Sequence, residues 1–382
     1  MPIPHRVSQL VTQGALLMAV VLALSINPRM RIRPNWFLGL YTLLAISSLM
    51  MSVRLVGLGT AYRSFRMIEF LFVLWLLTPW WGRRDLLLLR NQMRFLLLVL
   101  GLVALGLFIS PGKELGGRLS GIIWPIPPTQ VAHFAAEVAG VMTVLWLCRL
   151  VSRSRALMVA VPAMIVLVLT HTRTALLAMF VGLLVAGASL LLARQRVRRT
   201  FAAVLLVVVV IGVPASPLLT HWLARGQNGQ ELQNLTGRTN AWSAVLSTNR
   251  PTTNLLFGNG LSNESVTASS NLEENGLPID SSWISIYQDQ GIVGEVLVGA
   301  IFMLLLLTAL CQARGPTRAL ALFLIVYCLI AGISESGLGG ASPYLLDLAV
   351  AASLVTYPSA TGTDLAFGLK LPEHPRSVEI ER

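Results

Sequence analysis

Three arginines have the chemistry to bind a charged substrate. Arg173 sits in THTRTALLAMF, between two apolar runs with almost no residues between them, and Arg238 sits in LTGRTNAW, within the one long polar stretch of the chain, His221 to Gly294. A guanidinium offers paired donors that match phosphate oxygens, so both are candidates for holding a phosphorylated substrate. For Arg173 the alternative is a side chain that reaches back to lipid headgroups. The third, Arg118, opens RLSGIIWPIPPTQVAHFAAEV, in which Gln130, His133 and Glu137 follow one another at steps of three and four. Those steps place them on one helix face. They read as a polar cavity wall with Arg118 at its mouth, or as a His133–Glu137 pair that ties helices together.

Two carboxylates could move protons. Asp280 lies in IDSSWISIYQDQGIVG just before an apolar run, where it is either a general base or a helix N-cap. Glu335 lies in ISESGLGG at the end of another. Arg66 and Glu69, three residues apart, read as a structural pair. Gly258 and Gly260 in LLFGNGLSNES allow a tight turn or a close backbone approach to a ligand. As a phosphate loop GNG is weak, because no Walker lysine follows.

The elements that must position these residues are membrane helices. With 55% hydrophobic and 12% charged residues and a mean hydropathy of +0.71, the chain belongs to the polytopic membrane class. Apolar runs fall near 10–26, 35–53, 64–81, 95–110, 131–150, 156–171, 174–193, 201–222, 282–309, 319–334 and 341–356. Each approaches the ~20 residues that cross about 30 Å of hydrocarbon as helix. The expectation is an all-α, multi-pass integral membrane protein of eleven spans, or twelve if one near the N-terminus is missed. It divides into N-terminal helices (1–221), a large external loop (222–281), C-terminal helices (282–357) and a cytoplasmic tail (358–382).

The net charge of +12 does not point to nucleic acid, because the arginines form short clusters between apolar runs with no aromatic interleaving. The clusters Arg29 to Arg33, Arg83 to Arg94, Arg149 to Arg155, Arg194 to Arg199, and Arg314 with Arg318 fall in alternate loops. The positive-inside rule makes those loops cytoplasmic, so the 222–281 loop is extracytoplasmic. Arg54, Arg63 and Arg66 then lie outside, against the rule. The cysteines, Cys148, Cys311 and Cys328, have no metal-ligand spacing and read as buried thiols.

RLSG with PPTQVA, the TRTALLA turn, LTGRTNAW, LLFGNGL and DSSWISIYQDQGIVG occur in an order that resembles the O-antigen ligase and O-antigen polymerase superfamily, over roughly residues 110 to 340. The resemblance implies twelve spans and transfer of lipid-linked glycans on the outer face of the bacterial inner membrane. It also implies donor-diphosphate binding by Arg173 and Arg238. The family's usual reading before E-x-G-x-x-G has a histidine, a candidate base in ligases; here Asp289 takes the glutamate position and Asp280 falls where the histidine would be. That departure favours a polymerase.

The chemistry implied is metal-independent, inverting glycosyl transfer from a polyprenyl-diphosphate-linked oligosaccharide to a glycan or lipid acceptor, with no cofactor. Arginines neutralise the departing diphosphate. Arg173 and Arg238, with Arg118 and Gln130, would bind substrate; Asp280, then Glu335 and His133, are the candidate bases. Membrane lipid, and chain-length or export machinery, would be the other partners. The rival reading is a transporter or flippase for lipid-linked glycan, which would favour internal repeats that are not evident. A metal-dependent polyprenyl glycosyltransferase would want carboxylates in its first external loop, and 53–63 has none.

Overall fold

The computed structural model describes residues 5–57, 62–109, 118–121, 124, 126–191, 238–261, 265–266 and 277–356. The helices are α1 (His5–Ile26), α2 (Trp36–Val56), α3 (Tyr62–Leu77), α4 (Asp85–Ile109), α5 (Pro128–Leu147), α6 (Arg153–Leu169), α7 (Arg173–Leu191), α8 (Arg238–Ser247), α9 (Thr252–Phe257), α10 (Ser282–Cys311), α11 (Pro316–Ala331) and α12 (Pro343–Thr356). Between α9 and α10, β1 (Ser265–Val266) pairs antiparallel with β2 (Leu277–Pro278).

Ten of the expected spans coincide with helices, and the eighth, 201–222, lies outside the described residues, as do Arg194 to Arg199 and the 358–382 tail. By length and hydropathy five helices can cross a bilayer, α2, α4, α5, α7 and α10, with α1, α11 and α12 as shorter apolar helices. Five expected spans fall short of that standard: besides those three, α3 has 16 residues and α6 has 17, with arginines near the start of each. The described residues are helical apart from the short β1–β2 pair and make a multi-pass membrane protein, with fewer qualifying helices among them than the sequence predicts.

Local sequence explains the helix starts. Pro128 opens α5 and Pro316 opens α11, where a fixed φ suits the first turn and the missing N–H has no partner to lose. Asn35 caps α2 by accepting from the Leu38 amide at 3.2 Å.

At the centre lie α5, α11 and α12, buried along most of their length. Gly140 of α5 faces the Phe323 ring of α11, and a Cβ there would collide with it, so glycine permits the close crossing. α1 and α6 form the rim. They expose Leu10, Met18, Val21, Met158, Val161 and Ile165, an apolar surface suited to lipid.

The polar stretch before α10 is not a bare loop: it contains α8 and α9, and α9 docks onto a kink in α10. At Gly291 (φ 68°) the helix breaks step, and the freed carbonyls of Gln288 and Asp289 accept from the amides of Asn259 (2.9 Å) and Gly260 (2.8 Å). Side chains at Gly258 or Gly291 would drive into each other's backbone segments. The close approach expected of Gly258 and Gly260 is therefore chain to chain. Arg250 anchors the same region, its guanidinium 5.0 Å over the Tyr287 ring.

Candidate active site

One end of the bundle, where α10 begins, gathers four of the singled-out residues from four distant segments. Arg238, the first residue of α8, lies 3.3 Å from the Asp280 carboxylate, the pair being 24% and 40% exposed. Asp280 is not the N-cap of α10, since Ser281 occupies that position. A pair this exposed contributes little to stability, about 0–1 kcal/mol, so stability alone does not account for it.

Arg118 is held by the tight turn between α6 and α7. Its Nε donates to the Thr170 carbonyl and its Nη2 to the Thr172 hydroxyl, both at 2.9 Å. The Leu119 amide donates to Leu169 at 3.1 Å, which fixes this short segment against the end of α6. The turn itself is tight enough to put His171 at φ 50°. Arg173 follows it at the start of α7, partly buried.

Glu335 sits just beyond α11, in reach of Arg238, Asp280 and Arg118 and accepting a hydrogen bond from the Thr129 hydroxyl in the first turn of α5. Burial pushes its carboxyl up to about 7; Arg238 opposes this, Asp280 adds to it, and Thr129 and Arg118 pull it down. Burial also draws the Arg118 guanidinium below its ordinary value, with Glu335 opposing and Arg238 adding to the effect. It stays charged, as guanidinium does in proteins. Gln130 is one residue beyond Thr129 and partly buried. Thr129 went unnoticed in the sequence, although it stands in the PPTQ motif itself.

His133 and Glu137 lie elsewhere. They are sealed inside the bundle at 1% and 0% exposure. His133 Nε2 is 3.1 Å from Asp347 of α12, and Nδ1 is 2.9 Å from the Tyr327 hydroxyl of α11. The Gln92 amide of α4 donates to both Glu137 (2.7 Å) and Asp347 (2.6 Å). The pairing considered within α5 is thus replaced by a four-helix network. Among the described residues, His133, Glu137 and Asp347 offer ligand atoms within 4.8 Å of one another; Gln92 and Tyr327 engage Glu137 Oε1, Asp347 Oδ1 and His133 Nδ1, and Glu137 Oε2 has no hydrogen-bond partner. Tyr344 lies between the two groups, its ring 4.1 Å from His133 and its hydroxyl in electrostatic reach of Glu335.

Glu69 does not need Arg66 for a partner, since it accepts from Gln13 at 2.9 Å. Arg66 instead lines a polar cleft beside the Arg238 cluster.

Fold and site together define a multi-pass membrane protein with arginines and carboxylates gathered at one end of its bundle. Residues 156–299 match the family model described as O-Antigen ligase, a similarity that supports the resemblance carried by the motifs within that stretch. The match is shorter than the 110–340 over which the motifs were read. It includes Arg173, Arg238 and Asp280, and leaves Arg118, His133 and Glu335 outside. No curated protein matches the chain.

Proposed function

We propose that the protein is a glycosyltransferase that polymerises glycan units carried on polyprenyl diphosphate, acting at the outer face of the bacterial cytoplasmic membrane. The observation that carries this is the convergence of Arg118, Arg238, Asp280 and Glu335 at one end of the bundle. Diphosphate is a good leaving group once its charge is met, and Arg238 and Arg118, with Arg173 behind the same turn, can meet it without metal.

Glu335 replaces Asp280 as the first choice of base. Its carboxyl, near 7, is poised to accept a proton at neutral pH, whereas Asp280 is engaged with Arg238. In the step proposed, Glu335 takes the proton of an acceptor sugar hydroxyl and that oxygen bonds to the donor's anomeric carbon. The bond from that carbon to the diphosphate breaks, the diphosphate departs with the electron pair, and the configuration inverts. Asp280 orients Arg238. His133, sealed among four helices, has a structural part.

The test is glycan length in cells whose own copy is replaced by Arg238→Ala, with membrane protein level checked by blot. Loss of long polymer with accumulation of single lipid-linked units at normal protein level is the expected result. Unchanged polymer would remove Arg238 from the site, and loss of single units along with polymer would favour an export role.

A further inference from the structure

Polymerisation joins two lipid-linked molecules, and the cluster around Arg238 accounts for the phosphates of only one. A second polar cleft of about 170 Å³ opens at the same end of the bundle, space well beyond that of a single water. Arg63 and Arg66, from the first turn of α3, line one side of it. Ser285 and Asp289 of α10 and the 336–342 segment line the other.

Four observations point to a phosphate-bearing ligand. Arg63 and Arg66 are spaced to share a face, and both bring guanidinium groups, whose paired donors match phosphate oxygens, to the cleft lining. These same arginines violate the charge bias that otherwise orders the loops, and a charge kept against topology calls for a local reason. The N-terminus of α12 is at the rim: Ser342 lines the cleft and accepts from the Leu345 amide at 3.2 Å, so the helix presents its positive end there. Gly340 on that wall has nothing within 4 Å of where a Cβ would stand, so its backbone is left open there.

Its position relates it to the reaction. The cleft wall begins at Ser336, one residue past Glu335, and its α10 side begins at Ser285, five residues past Asp280. The Ser282 hydroxyl ties these two walls by donating to the Glu335 carbonyl at 2.6 Å. A lipid phosphate held by Arg63 and Arg66 would therefore sit across the 335–336 turn from the donor's diphosphate, with the base between them.

We propose that this cleft binds the phosphate or diphosphate of the second, acceptor lipid. The inference rests on the reading of the Arg238 cluster as the donor site. The ligand chemistry is a lipid-borne phosphate, which could equally come from an ordinary phospholipid headgroup, so the test must separate the two.

The experiment is equilibrium binding of undecaprenyl diphosphate to the purified full-length protein in nanodiscs made with a neutral lipid, repeated with phosphatidylglycerol in place of part of that lipid. Two equivalents are expected for the wild type, one for Arg238→Gln, one for the Arg63→Gln/Arg66→Gln double variant, and two again for Arg63→Lys/Arg66→Lys. The lysine variant separates loss of charge from loss of fold. Two equivalents that withstand phosphatidylglycerol support the acceptor site. A single equivalent, indifferent to Arg63 and Arg66 but lost in Arg238→Gln, overturns it and leaves the donor site standing. Displacement of the second equivalent by phosphatidylglycerol assigns the cleft to a phospholipid headgroup and overturns the acceptor reading. Two equivalents in Arg238→Gln would refute the donor assignment, while a single one in the glutamine double variant would still support the cleft.

Discussion

Two groups of ionisable residues in this protein use nearly the same chemistry to opposite ends. At the end of the bundle, Arg238 and Asp280 meet at 3.3 Å while partly exposed, and Glu335 beside them is held near 7. In the interior, His133 and Asp347 meet at 3.1 Å at 1% and 0% exposure, with Gln92 and Tyr327 occupying their remaining atoms. The first group has unequal charges, access and loosely held members. The second is closed. What separates the cluster proposed to react from the buried one is not residue type but whether the groups stay open to a substrate.

That contrast predicts that the two groups fail differently when altered. The largest effect is expected for Arg238→Ala, a fall in transfer rate on the order of 10²–10³-fold, the scale seen when a donor that meets developing charge is removed. Its thermal midpoint should barely move, because an exposed pair contributes about 0–1 kcal/mol. Asp347→Leu should do the reverse. Removing it leaves His133 Nε2 and the Gln92 amide short of a buried partner, at about 1–3 kcal/mol for each group left unsatisfied. Membrane abundance and thermal midpoint should drop while transfer per folded molecule is retained.

A smaller effect tests the frame that sets α10 in place. Gly291→Ala must hold alanine at φ 68° with its Cβ against Leu256, so a loss of stability above ~1 kcal/mol is expected, read by thermal unfolding. Smallest in stability is Asp280→Asn, which loosens Arg238 without moving the helix start. Its unfolding midpoint should stay close to wild type while the KM for the lipid-linked donor rises, and an unchanged KM would detach Asp280 from Arg238's task.

Much of this was legible in the chain. The apolar runs located the helices, because backbone in hydrocarbon has few ways to satisfy itself. Arg118, Asp280 and Glu335 stood out as charges near span ends and Arg238 as one in the large polar loop, and the structure brings them together. The destination of His133 was not legible. Its partners Asp347 and Gln92 lie on other helices, and helical spacing within α5 says nothing of which helices adjoin it. Asp347 itself offered a signal, a carboxylate inside the apolar run of α12, where an ionisable group demands a partner. The kink at Gly291 was hidden too, since its glycine reads in sequence only as part of a family motif, and its use depends on α9 docking against it.

The most direct test of the central claim is the pH dependence of glycan transfer by the purified protein, wild type against Glu335→Gln. Burial raises the Glu335 carboxyl above its ordinary value, so the folded protein binds its proton more tightly than the unfolded chain, and the base form predominates only above about 7. The stability this proton confers is full at low pH and is lost as pH rises from the unfolded value through about 7, while activity gains in that same interval. The account predicts a wild-type rate that rises through about pH 7 and levels off, and a variant whose rate is at least ~10²-fold lower and lacks that rise. A variant that keeps the wild-type rate and the same rise with pH would contradict it, and would move the base away from Glu335.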